Sequence, residues 1–131
     1  MNVRGWGDTL EAYEKQAEAI KAIAHPVRLR IVEILAEGEA CVCHLTTILG
    51  QRQPYVSQQL TVLREAGLVR DRREGVMVYY RLADERVYEV VYSTRLLLEA
   101  KSEDVEFAPV PGCPVEGCPC PKCERARAGG A

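Results

Sequence analysis

The chain has 131 residues, 47% hydrophobic and 27% charged, with a net charge of −2. That length supports one domain with a modest core, and the charge excludes a generic nucleic-acid-binding polycation. No run of 18 apolar residues exists and residues 1–6 hold no apolar signal segment, so the expectation is a cytoplasmic protein that spans no membrane. Its six cysteines are then reduced thiols, better read as metal or redox ligands than as a disulfide framework.

Residues 8–24 read as a first helix, with Leu10, Tyr13, Ala17, Ile20 and Ala24 at 3- and 4-residue spacing. His25-Pro26 breaks it, because the residue before proline avoids the α region while proline opens the next helix well. His25 is read as a boundary residue rather than a ligand. The second helix covers residues 26–36, with Val27, Ile31, Ile34 and Leu35 inward, and stops at Gly38. A third covers 41–49, with Leu45, Ile48 and Leu49 as its core face, and ends at Gly50.

After Gln51-Arg52 comes the stretch around which the rest is organised, residues 53–67. Val56, Leu60 and Leu63 form one helical stripe, Pro54 suits the first turn and Gly67 the residue past the end. The other face carries Tyr55, Ser57, Gln58, Thr61 and Arg64, uncharged amides and hydroxyls with one arginine. Glutamine pairs bidentately with adenine, arginine with guanine, and hydroxyls with bases or phosphates, so this reads as a recognition helix. Two short helices joined by a tight glycine-containing turn make a helix-turn-helix. The expected DNA-binding residues are Gln53, Tyr55, Ser57, Gln58, Gln59, Thr61 and Arg64.

The period then changes. Residues 68–72 and 76–82 are β-rich runs joined by Arg73-Glu74-Gly75, a hairpin, with Arg70, Arg72 and Arg73 placed to reach phosphate or a minor groove. Arg72 and Arg73 join the DNA-binding set. From residue 51 to 82 there are six arginines against three acids, a basic footprint of +3 on an acidic remainder. A last helix over 84–101 carries Val87, Val90, Val91, Thr94 and Leu98, widened by Tyr88, Tyr92, Leu96 and Leu97. That exceeds what a small domain covers alone, so a second subunit is expected to cover it. The fold class is mainly α with a β-hairpin wing, a winged helix-turn-helix forming a homodimer through its terminal helices. Residues 1–101 form this DNA-binding and dimerisation domain. Residues 102–131, rich in Pro, Gly and Cys, are expected to be a flexible tail without a helix.

Together these residues resemble the winged helix-turn-helix repressors of the ArsR/SmtB class, most closely its arsenite-responsive members. The resemblance rests on residues 24–31 (Ala-His-Pro-Val-Arg-Leu-Arg-Ile), Cys41-Val42-Cys43-His44-Leu45, the stretch 53–69, and Gly75 with 78–82. It implies a transcriptional repressor, not an enzyme, that sits on double-stranded operator DNA as a homodimer and falls off on binding a toxic metal or metalloid.

Cys41 and Cys43 are the expected sensor, since thiolates are soft ligands and a helix N-terminus lowers thiol pKa. Residues i and i+2 do not face the same way on a helix, so an ion bound by both is expected to unwind the first turn. Arsenite-sensing members usually carry a third cysteine three residues further on; that position here is Thr46. The replacement is expected from the tail, where Cys113, Cys118, Cys120 and Cys123 follow a C-x4-C-x-C-x2-C pattern. As(III) takes three thiolates; Sb(III), Cd(II), Pb(II) or Zn(II) can use the same set. Five alternatives remain open at this point, the plainest being that Cys41 and Cys43 are small buried core residues. The tail cysteines can close on Zn²⁺ by themselves. The thiols can form a redox or persulfide switch. The Cys-Pro pairs at 113, 118 and 120 match a haem-regulatory pattern. Cys41 can serve as a nucleophile with His44, although no orienting carboxylate stands nearby. A metal-storage protein leaves the polar-faced helix without a purpose. His44 is read as solvent-facing, or at most a ligand for a borderline metal.

Overall fold

The computed structural model describes residues 5–101 and 104–129. Residues 1–4, read above for a signal segment, and tail positions 102–103 and 130–131 lie outside them. Helix α1 (Trp6–Ile23) gives way to α2 (Pro26–Ala36) across His25. His25 is extended (φ −156°) and its Nδ1 accepts the Val27 N–H at 3.2 Å, so it caps α2 while Pro26 fills the first turn.

The next element was not expected. Cys41 is the N-cap of the expected helix, with φ −83° and ψ 166°, and it also lies in a two-residue strand, β1 (Ala40–Cys41), opposite Tyr79. Both residues are buried, and pairing with the wing satisfies backbone groups that burial takes from water. Helix α3 (Val42–Leu49) follows, and Gly50, at φ 62°, turns the chain into α4 (Gln53–Glu65). Ile31, Val32, Leu45, Val56, Leu60, Leu63 and Val69 are the fully buried centre, so the predicted apolar stripes of α2, α3 and α4 meet there.

Strands β2 (Val69–Glu74) and β3 (Met77–Leu82) form the wing, in a three-stranded antiparallel sheet of order β1-β3-β2. The hairpin turn sits later than the sequence suggested. Glu74 pairs with Met77 and the tip is Gly75-Val76, with Gly75 at φ 61°, as a two-residue turn requires. Arg73 and Glu74 are therefore ladder residues. Helix α5 (Arg86–Ala100) packs Val87 and Val91 on α2. Of its other apolar residues Val90, Tyr92, Leu96 and Leu97 are exposed and Tyr88 and Leu98 half-buried, and Trp6, Tyr13 and Ile20 of α1 are exposed as well.

The tail is not the featureless segment its proline content suggests. Arg30 donates to the Ala108 and Pro109 carbonyls at 2.8 and 3.0 Å, and the Arg95 guanidinium, paired with Glu33, lies 4.2 Å over the Phe107 ring. These contacts lead the chain back along α2 to α3, where a final helix α6 (Pro121–Gly129) forms. Pro121 occupies the first helical position, which lacks a partner for its N–H anyway, and Lys122, Glu124, Arg125 and Ala126 are good helix formers. Among the described residues no helix is long and apolar enough to cross a membrane.

Candidate metal centre and nucleic-acid interface

A second, smaller buried cluster lies where the tail meets β1 and α3. It consists of Cys41, Val115, Cys118, Cys120 and Cys123, with Cys43, Ile48, Met77 and Tyr79 packed around it. Two donor sets fall within it. The Cys41, Cys43 and Cys120 sulfurs lie within 4.8 Å of one another. So do the donor atoms of His44, Cys118, Cys120 and Cys123, all four buried. Cys113, which the sequence placed with the other tail cysteines, is exposed and belongs to neither set, although its sulfur is 3.4 Å from that of Cys123.

The Cys41 and Cys43 sulfurs are already 2.7 Å apart. An i, i+2 pair on a helix would diverge, but Cys41 is on a strand and only Cys43 is helical, so the two converge without any unwinding. The expected ionisation is also reversed. Burial, reinforced by the hydrogen bond with Cys43, pushes the Cys41 thiol up to about 12, and burial raises Cys43 as well. Removal from water outweighs the α3 N-terminus. Burial likewise pushes Cys118 up to about 12 and raises Cys113. Cys123 differs: burial opposes its ionisation, but hydrogen bonds from the Val115 N–H and from the Cys113, Cys120 and Cys118 thiols hold it below the ordinary thiol value. Thr46, three residues beyond Cys43, donates to the Cys43 carbonyl at 2.9 Å.

His44 is the residue the sequence reading misplaced. It is buried, and its Nδ1 faces the sulfurs of Cys123, Cys118 and Cys120 at 3.4, 3.6 and 3.8 Å. Burial, and then the charge of Lys122, lower its pKa, which leaves a neutral imidazole able to act as a ligand. Helical periodicity gave no hint of this, because the tail that covers His44 is more than 70 residues away in sequence.

The other candidate site lies on α4 and the wing. Gln53, Gln58 and Arg64 are exposed, and Tyr55, Ser57 and Thr61 half-buried, on the face opposite Val56, Leu60 and Leu63. The Thr61 hydroxyl donates to the Ser57 carbonyl at 3.0 Å, and Arg64 reaches Asp71 at 3.4 Å. Two expected members are engaged elsewhere. Gln59 is buried and faces α2, because the α4 stripe is one position wider than the apolar residues alone suggest. Arg72 grips Glu39 through Nε and Nη2, reaches Glu74, and lies 4.6 Å over the Tyr79 ring. The Arg72 hydrogen bond holds the Glu39 carboxyl below its ordinary pKa. Arg73, on the outer strand, is exposed.

Residues 25–71, from the α2 cap through the recognition helix into the wing, match the model of the arsR family of bacterial regulatory proteins. The biofilm growth-associated repressor of Agrobacterium fabrum is 41% identical over 100 residues, 73% of this chain and 86% of its own length. The arsenical resistance operon repressor of Escherichia coli is 49% identical over 67 residues, 50% of this chain and 57% of its own. Among solved structures, the homodimeric winged helix-turn-helix DNA-binding domain from Mycobacterium bovis superposes with a TM-score of 0.68 at 29% identity, covering 83% of this chain and all of that one. The chain thus belongs to the arsR family of bacterial regulatory proteins and has their winged helix-turn-helix fold.

Proposed function

We propose that this protein is a metalloid- or metal-responsive transcriptional repressor. It binds operator DNA as a homodimer, through α4 and the wing, and releases it when a thiophilic ion is taken by Cys41, Cys43 and Cys120. The observation that carries this reading is the convergence of three sulfurs on the first turn of α3, the helix that packs directly against α4. As(III) suits the set best, since it is pyramidal and takes three thiolates; Sb(III) shares that geometry, and Cd(II), Pb(II) or Zn(II) can use the same sulfurs. The similar E. coli protein is named for arsenical resistance. For the homodimer, support comes from the exposed apolar faces of α1 and α5 and from the homodimeric M. bovis domain.

The two sulfurs sit on different elements, Cys41 on strand β1 and Cys43 on helix α3, so an ion held by both links the strand to the helix. Ligation that shifts α3 on α4 spoils the fit of the recognition helix. Coupling of this kind is typically ~1–3 kcal/mol, a several-fold to hundredfold release.

The test is fluorescence anisotropy of the reduced full chain on a duplex selected from a random library, titrated with arsenite and then cadmium. Arsenite should release the native protein and the Cys113→Ser variant, while Cys120→Ser keeps its DNA affinity and loses the response. An equal response from Cys120→Ser removes the tail from the sensor. Release by an oxidant, with none by any metal, makes the protein a thiol redox switch instead.

A further inference from the structure

The four buried donors that include His44 form a second set, which adds an imidazole and shares one sulfur, Cys120, with the sensor set. We infer that His44, Cys118, Cys120 and Cys123 form a tetrahedral zinc site that fastens the tail to α3. Zinc with three thiolates at about 2.3 Å and one imidazole at about 2.0–2.1 Å places nitrogen and sulfur about 3.6 Å apart along the tetrahedron's edges. The observed separations of His44 Nδ1 from the three sulfurs, 3.4, 3.6 and 3.8 Å, bracket that value. A three-sulfur, one-nitrogen set suits Zn²⁺ or Cd²⁺, and it has one donor more than a pyramidal As(III) takes.

The surroundings fit. Cys120-Pro121-Lys122-Cys123 is a C-x2-C turn at the start of α6, in which the Cys123 N–H donates to Cys120 Sγ at 3.4 Å. The Val115 N–H donates to Cys123 Sγ at 3.3 Å, and Arg127 holds the Cys118 carbonyl at 2.6 Å. Backbone donors to ligating sulfur are the outer contacts that orient such ligands. Beyond residues 107–109 the described tail buries little apolar surface. Between residues 111 and 129, Val115 is the one buried residue besides the three ligating cysteines. A segment with so little apolar burial gains its order from an ion, as small metal-dependent modules do. Cys120 belongs to both donor sets, so the zinc that orders the tail also holds the third sulfur beside Cys41 and Cys43.

The test uses neither DNA nor arsenite, so its outcome is separate from that of the repressor reading. The reduced, metal-free full chain is titrated with Co²⁺, and the zinc-loaded chain is measured by X-ray absorption at the zinc edge. One Co²⁺ per protomer is expected, with the strong visible bands of a tetrahedral thiolate site. The bands persist in Cys41→Ser/Cys43→Ser and in Cys113→Ser, and vanish in Cys118→Ser/Cys123→Ser. His44→Ala binds at least tenfold more weakly. The zinc-edge spectrum of the unaltered protein, which needs no variant to fold, fits three sulfurs and one imidazole. A four-sulfur zinc shell, or cobalt bands that survive loss of Cys118 and Cys123, overturns the inference.

Discussion

Gln59 Oε1 accepts a 2.7 Å hydrogen bond from Arg28 Nη1, which ties the middle of the recognition helix to α2. Arg28 is itself anchored by its Nε to the Ala22 carbonyl at 2.6 Å. Truncating the glutamine leaves a part-buried guanidinium without its acceptor. Gln59→Ala should cost roughly 1–3 kcal/mol in urea unfolding and leave base preference intact. Gln58→Ala, on the exposed face, should leave stability within about 0.5 kcal/mol but lose roughly 1–3 kcal/mol of operator discrimination. The reverse pattern would move base reading to the buried side of α4.

The two wing arginines should separate in a salt titration. Arg73 is exposed without an ion-pair partner among the described residues, whereas Arg72 is held by Glu39. If Arg73 meets a phosphate, Arg73→Ala should lower the slope of log affinity against log salt by about 0.9 per protomer. Arg72→Ala should change it less. Equal effects from both would mean that DNA draws Arg72 away from Glu39.

Ile20 of α1 and Leu97 of α5 are exposed apolar residues on helices whose neighbouring apolar faces are also uncovered. Ile20→Glu or Leu97→Glu should shift the protein from dimer to monomer in sedimentation velocity, because each buries an unpaired carboxylate in the interface. A dimer that withstands both charges must be built from another surface.

Thr46 stands where a third local sulfur would, one helical turn beyond Cys43. Thr46→Cys in a Cys120→Ser background should therefore restore arsenite-driven DNA release with no help from the tail. Persistent failure of that double variant would show that α3 cannot gather three sulfurs by itself.

Much of the DNA-binding half was legible because its information is local. The stripe Val56, Leu60 and Leu63, the left-handed Gly50 and Pro54 near the start of α4 each act within a few residues, and each holds in the structure. The candidate metal centre was legible in composition and not in arrangement. Cysteine spacing singled out sulfurs that the structure brings together, Cys41 and Cys43 with Cys120, but three facts lay beyond it. Cys41 is extended because Tyr79 pairs with it, His44 is buried because the tail covers it, and Cys113 is left outside because Val115 and Cys118 turn inward instead. Each depends on a contact between distant parts of the chain. Gln59 was misread for a related reason: an amide looks the same in sequence whether it meets a base or an arginine.

Arg30 and Arg95 hold residues 107–109 against α2, and so fix the route by which the tail travels. Along that route Cys120 meets the cysteine pair of its own polypeptide. On the proposed sensing reading each copy would carry all three sulfurs of its detector. In a mixed dimer of one native and one Cys120→Ser chain, half of the detectors would then remain intact. Such a hybrid shows directly whether one occupied copy is enough to clear the promoter or both must fill, which sets whether the cell reads its toxin as a gradient or as a threshold.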